Sequence, residues 1–257
     1  MNKMRRELLA GISLAGAGAL LVGCRKSPNQ AGGESNVNEP TAGELGPADV
    51  SANEDLMREH GVLRRALFVY REAATRLRQD PNSVPPDVLE KTAQLFRVFG
   101  EDYHEKKLEE AYILPLIKKF RNPAEGYVDV LIQQHARGRE ITDYILSVTN
   151  GDRLSSNTAS ALVTSLESFA RMYDYHSAIE DTIVFPGWKA SLGEAEIEEL
   201  GAKFEQIEAD HFGDDRGFES AVERMQEIEA SMGLSDLATF TAPPPPGTDP
   251  VTANRIV

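Results

Sequence analysis

The sequence predicts an all-α protein, an up-and-down four-helix bundle with an additional C-terminal helix, and three observations carry that prediction. Apolar residues recur at helical spacing between capping residues and prolines. No run alternates strictly between apolar and polar, as a half-buried strand would. The five histidines, His60, His104, His135, His176 and His211, fall one on each predicted helix.

The first helix opens on a capping box, Ser51-x-x-Glu54. Behind it Leu56, His60, Leu63 and Leu67 share a face until Asp80-Pro81 stops the run, giving a helix over 54–79. Pro85 and Pro86 open a second helix, because proline fits a first helical turn, and Asn122-Pro123 ends it after Lys119. A third spans 124–149 before Asn150-Gly151. A fourth runs from Ser156 and is predicted to end at Pro186. A fifth begins at Glu194 and is interrupted at Gly213 and Gly217.

The ends do not belong to this fold. Residues 1–24 have a basic start (Lys3, Arg5, Arg6), an apolar run from Leu8 to Val22 and a small residue before Cys24, which is the plan of a secretion signal. Leu21-Val22-Gly23-Cys24 resembles the lipobox of bacterial lipoproteins, which implies cleavage before Cys24 and lipidation of its sulfur. The alternative is a plain signal peptide with an incidental cysteine. Arg5-Arg6 leaves open a twin-arginine route as well as general secretion. The expectation is a chain held in the cell envelope by a lipid anchor, facing the periplasm or the exterior. Residues 25–50, rich in Gly, Asn, Ser and Pro, have little to bury and are expected to form a flexible tether reaching roughly 25–30 Å from the bilayer. The domain is then 51–240, and 241–257, which opens near Pro243–Pro246, is expected to be a disordered tail.

Cys24 is the only cysteine, so no internal disulfide forms and no thiolate is offered to a metal. Cleavage before Cys24 leaves 24 basic against 40 acidic residues, a balance that excludes nucleic acid as a partner.

A lone helical histidine is most often a core or surface residue, but here the chain repeats itself. His60 is followed by His104, then Glu109-Glu110 and an apolar stretch closed by Pro115. His135 is followed by His176, then Glu180-Asp181 and a stretch closed by Pro186. The His-to-His gaps are 44 and 41 residues, and in both halves the first acid stands six residues before the proline. Two such helix pairs related by a pseudo-two-fold would bring their histidines to one bundle centre, the geometry a two-metal site requires. His176 and Glu180 lie one turn apart on one face, beside the apolar Phe169, Met172, Ile179 and Ile183, where an isolated charge would cost many kcal/mol. His104 and Glu109 are five apart. One extra residue relative to the second half predicts a π-bulge near Lys106-Lys107, with Glu105 or Glu110 as the competing ligand.

These segments resemble the hemerythrin-like, HHE cation-binding domain family. The resemblance rests on Met57-Arg58-Glu59-His60-Gly61-Val62-Leu63, Asp102-Tyr103-His104-Glu105-Lys106, His135-Ala-Arg-Gly-Arg-Glu140 and His176-Ser-Ala-Ile-Glu180-Asp181-Thr182, and extends to Phe212-Gly213 and Gly217-Phe218-Glu219. It implies a four-helix core with a non-haem di-iron centre, bridged by carboxylates and able to meet oxygen or nitric oxide. Carried over by position, His60, His104 and Glu109 serve one half of the site, and His135, His176 and Glu180 the other. The family's oxygen carriers have a further histidine one turn after the one matched by His135, where this chain has Arg139. Either His211 supplies that nitrogen, or His211 merely orients a ligand or lies on the surface. Imidazole with carboxylate also suits zinc or manganese, and the resemblance is what favours two iron ions.

Two functional expectations follow. One is a binding module that binds or senses oxygen or nitric oxide, or holds iron. The other is an enzyme, a di-iron oxidase or a nitric-oxide or peroxide detoxifying protein. A rival ligand geometry, the Glu-x-x-His pairs Glu101-x-x-His104 and Glu208-x-x-His211, is the signature of ferritin-like bundles.

Overall fold

A computed structural model describes residues 50–246 except 152, 214 and 215. The signal, Cys24, nearly all of the tether and residues 247–257 of the tail lie outside the described residues. Helix α1 is Ala52–Gln79. Helix α2 covers 86–119 as three segments, α-helical Pro86–Leu95, π-helical Phe96–Ile113 and α-helical Leu114–Lys119. Helix α3 is Glu125–Thr149. Helix α4 covers 156–190 as α-helical Ser156–Ile179, π-helical Glu180–Val184 and α-helical Phe185–Ala190. Helices α5 (Glu194–Phe212) and α6 (Gly217–Ser231) follow, then a 3₁₀ turn, Leu237–Phe240. Among the described residues there is no strand, and no helix is long and apolar enough to cross a membrane.

The boundaries follow from local chemistry. The Ser51 hydroxyl accepts from the Glu54 amide while the Glu54 carboxylate accepts from the Ser51 amide at 2.9 Å, satisfying two donors that an open helix end would leave bare. Gly213 ends α5 in the left-handed conformation, φ 81°, which a side chain would resist. Short connections at 80–85, 120–124 and 150–155 make successive helices antiparallel neighbours. The four long helices close a ring in which α1 packs most extensively against α4 and α2 against α3, while α5 and α6 lie across α1 and the start of α2. The centre is apolar above and below the site: Phe96, Phe99, Phe169 and Phe185 are fully buried, each contributing roughly 2–3 kcal/mol of transfer free energy.

Two expectations are corrected here. Helix α4 does not end at Pro186 but runs to Ala190. The Phe185 N–H bonds the Glu180 carbonyl five residues back, so the proline, which has no N–H to give, falls at the junction where the wide turn hands over to the α-helix. The same junction occurs in α2, where Leu114 N–H bonds the Glu109 carbonyl just before Pro115. The repeated six-residue spacing between glutamate and proline therefore marks a π-turn in both halves. The single bulge predicted near Lys106-Lys107 is in fact a long π segment, and α4 has a shorter one that sequence spacing did not anticipate.

Candidate metal centre

The wide turns deliver two carboxylates to the middle of the bundle. Glu109 and Glu180 are 1 % and 0 % exposed, and none of their four carboxylate oxygens has a hydrogen-bond partner. Each oxygen faces one imidazole. The His104 Nε2 lies 3.4 Å from Glu109 Oε1 and the His135 Nε2 3.2 Å from Glu109 Oε2. The His176 Nε2 lies 3.0 Å from Glu180 Oε1 and the His60 Nε2 3.5 Å from Glu180 Oε2. The rings meet in pairs, His60 with His104 at 3.0 Å and His135 with His176 at 3.2 Å between Nε2 atoms. Both carboxylates thus span two histidine pairs.

This arrangement fits two metal ions. Two ligand atoms about 2.1 Å from one ion and about 90° apart are themselves about 3 Å apart, which is the separation seen between the donors. His60, His104 and one oxygen from each glutamate would hold one ion, and His135, His176 and the remaining oxygens the other. Among the described residues, His60, His104 and Glu109 form one group with metal-ligand spacing, and Glu109, His135, His176 and Glu180 another. Four buried carboxylate oxygens without partners would otherwise cost several kcal/mol, so the centre requires positive charge.

Each imidazole is oriented from behind, through its other nitrogen. The Nδ1 atoms of His60, His104, His135 and His176 meet Asp181 at 2.8 Å, Glu59 at 2.6 Å, Glu110 at 3.0 Å and the Gln134 carbonyl oxygen at 2.9 Å. These oxygens only accept, so Nδ1 carries the proton and Nε2 is turned to the centre as a donor to metal. Asp181 is held in turn by Arg64, and Glu59 accepts from the Tyr103 hydroxyl at 3.1 Å.

The electrostatics show what holds the centre together without a metal. Burial by itself lowers all four histidines. It wins at His60 and takes His176 down to about 4 with help from His135. At His104 the charges of Glu109 and Glu59 overcome burial, and at His135 those of Glu105, Glu109 and Glu110 do, holding both rings well above the ordinary value. Glu109 is opposed by burial but held well below its usual range by His104 and His135. Glu180 is pushed well above it by burial and by the Glu109 charge. One ring of each pair is therefore shifted towards its protonated form, with which a metal ion would compete on binding.

The other predicted residues lie elsewhere. Glu105 is buried but committed, accepting from the Tyr173 hydroxyl at 2.6 Å and from Arg139 at 3.0 Å. Glu110 stands behind His135 and also pairs with Arg139. A third group with metal-ligand spacing, Glu105, Glu110 and His135, thus already contains a cation, the guanidinium at the place of the missing histidine. His211 is not brought to the centre. It is partly exposed, meets the Val98 carbonyl at 3.4 Å and stacks on Tyr103, because α5 packs outside the four-helix ring. The Glu-x-x-His pairs do not converge either: Glu101 accepts from Thr142 at 2.6 Å and Glu208 from the Phe218 amide at 2.8 Å.

Sequence reasoning missed Glu59, Gln134 and Tyr173. Glu59 and Gln134 each adjoin a ligand histidine, yet each serves the histidine of another helix, a pairing that only helix packing creates. Tyr173 reaches Glu105 because Gly138 faces it, where a Cβ would lie 2.0 Å from the phenol oxygen. A cavity of about 10 Å³ on the α1–α4 seam is lined by ligands of the centre together with Leu63, Leu67, Phe96 and Ser177.

A family model for the hemerythrin HHE cation binding domain matches residues 51–187, which covers α1 to α3, most of α4 and every residue of the paired site. Uncharacterized proteins of Mycobacterium tuberculosis strain H37Rv and of Mycobacterium bovis are 38 % identical over 239 residues, covering 92 % of this chain and 90 % of theirs. No solved structure matches the chain. With more than half its length matched and a bundle whose buried histidines and glutamates are spaced to hold cations, the chain belongs to the hemerythrin HHE cation binding domain family, a metal-binding helical fold.

Proposed function

We propose that the chain holds two iron ions at the centre of its bundle and uses them to bind or sense oxygen or nitric oxide at a membrane surface, to which Cys24 anchors it. The observation that carries this reading is the set of four unpartnered oxygens of Glu109 and Glu180, each facing a histidine Nε2. A bound pair of iron ions supplies two electrons and a place for a diatomic ligand. The chain's own part is to present four imidazoles oriented by Asp181, Glu59, Glu110 and Gln134, to bridge both positions with carboxylates, and to keep bulk water out with Leu63, Leu67 and Phe96. Membrane attachment is supported by the lipobox-like Leu21–Cys24 and the polar stretch that follows it.

A second reading, a di-iron oxidase or a nitric-oxide or peroxide detoxifying enzyme, is favoured by one feature. The Tyr173 phenol and the Glu105 carboxylate line the same cavity, the hydroxyl donating to the carboxylate at 2.6 Å, so a proton-bearing group stands beside the ligand space. Elemental analysis of the purified chain should give about two irons. Stopped-flow mixing of the reduced protein with oxygen or nitric oxide then separates the readings: a reversible adduct supports binding, and repeated turnover with a reductant supports the enzyme. A folded chain that binds no added iron refutes both. Labelling with a fatty-acid probe should mark the wild type and not the Cys24→Ala variant, and an unlabelled wild type refutes the anchor.

A further inference from the structure

Besides the Glu109 and Glu180 carboxylates, which face the histidine pairs, the cavity on the α1–α4 seam is lined by one further polar group with nothing to bond. Its other polar walls are committed: the imidazoles point their Nδ1 atoms outward, the Tyr173 hydroxyl donates to Glu105, and Arg64 is held by Asp181. Ser177 is 6 % exposed, lines this cavity one residue after the ligand His176, and its Oγ has no hydrogen-bond partner. A serine inside a helix ordinarily turns its hydroxyl back to the carbonyl four residues earlier. The Thr182 and Thr164 hydroxyls on the same helix α4 do so. The Ser177 hydroxyl forgoes that bond among apolar neighbours, where an unmade hydrogen bond is costly.

We propose that Ser177 is a positioning residue that donates a hydrogen bond to a small ligand with a terminal acceptor atom, a diatomic molecule or triatomic anion, lodged in the cavity beside the histidine pairs. This rests on the di-iron reading above. Only about 10 Å³ of the cavity is open to a water-sized molecule, so the ligand is limited to very few atoms, with one end at the histidine pairs and the outer atom at Ser177. The apolar remainder of the wall, Leu63, Leu67 and Phe96, offers no competing donor, so the single hydroxyl sets the ligand's orientation. It also favours ligands that carry a charged or strongly accepting outer atom over weakly accepting ones such as carbon monoxide.

The test uses the full chain loaded with iron, azide as the probe, and the variants Ser177→Ala and Ser177→Thr. The Ala variant should keep its iron yet bind azide about tenfold more weakly, the effect of losing one hydrogen bond to a charged group, and the Thr variant should restore binding. The azide stretching frequency should shift between H₂O and D₂O in the wild type and lose that sensitivity in the Ala variant. If the Ala variant does not hold iron, the isotope sensitivity of the wild type alone decides. Equal azide affinity in wild type and Ala variant, or a wild-type stretch insensitive to D₂O, overturns the assignment while leaving the iron reading intact. A wild-type chain that binds no iron overturns the di-iron reading and this inference with it.

Discussion

Replacing Glu180 by Gln should weaken metal binding and at the same time stabilise the metal-free protein. Glu180 is 0 % exposed, neither of its oxygens has a hydrogen-bond partner, and burial together with the Glu109 charge raises its carboxyl well above 4.5. A carboxyl whose pKa is higher folded than unfolded keeps a proton that the unfolded chain releases. Folding is then penalised above the unfolded value of 4.5, and the penalty grows with pH by about 1.4 kcal/mol per unit until the folded value is reached. The amide carries no such penalty and removes it. For a domain of this size each pH unit between 4.5 and the raised folded value is worth a Tm difference of roughly 3–6 °C in favour of the variant, shrinking towards nothing near pH 4.5. Metal works against this difference, because the wild type gains about 4.1 kcal/mol at a metal concentration a thousand times its Kd and the variant has lost a bridging carboxylate. Calorimetry at pH 4.5 and pH 7, with and without chelator and alongside metal analysis, reads all of this. The reasoning is refuted if the metal-free Gln variant melts below the metal-free wild type at pH 7, or if it retains the full complement of metal.

Two further perturbations follow from single contacts. Gly138→Ala places a Cβ 2.0 Å from the Tyr173 hydroxyl oxygen and should cost about 1–3 kcal/mol in chemical denaturation. Adding Tyr173→Phe should recover part of that loss, and a double variant no better than the single one contradicts the contact. Glu101 is buried, and burial, eased by the Thr142 hydroxyl, lifts its carboxyl to about 7. Stability is therefore lost as pH rises from 4.5 towards 7, by about 3 kcal/mol from this group. Glu101→Gln should flatten that decline in urea denaturation across this pH range, and an unchanged profile refutes it.

The helices were legible because their signals are local. Ser51-x-x-Glu54, Pro85-Pro86, Asn150-Gly151 and Gly213 act on the backbone within a few residues, whatever the rest of the chain does. The six residues drawn to the centre, His60, His104, Glu109, His135, His176 and Glu180, were legible because the sequence states the site twice, once in each half. Pro186 misled because a proline ends an ordinary helix, whereas next to a π-turn its missing N–H costs nothing.

What tertiary packing alone decided is which residue stands behind which. Glu59 adjoins His60 in the chain yet orients His104, and Gln134 adjoins His135 yet orients His176, because side chains one residue apart on a helix point about 100° away from each other. His211 occupies a helix with the right local pattern, but α5 lies outside the ring and leaves its imidazole on Tyr103. Arg139 reads in sequence as the loss of a ligand. In the fold it is a fixed cation between Glu105 and Glu110, where the missing histidine's neighbourhood would otherwise hold two like charges. The sequence by itself determined the elements and the chemistry of the donors, because both are written in residue types and short spacings. The partner of each donor depended on the rotation of four helices about their axes, which is set by the packing of side chains far apart in the chain.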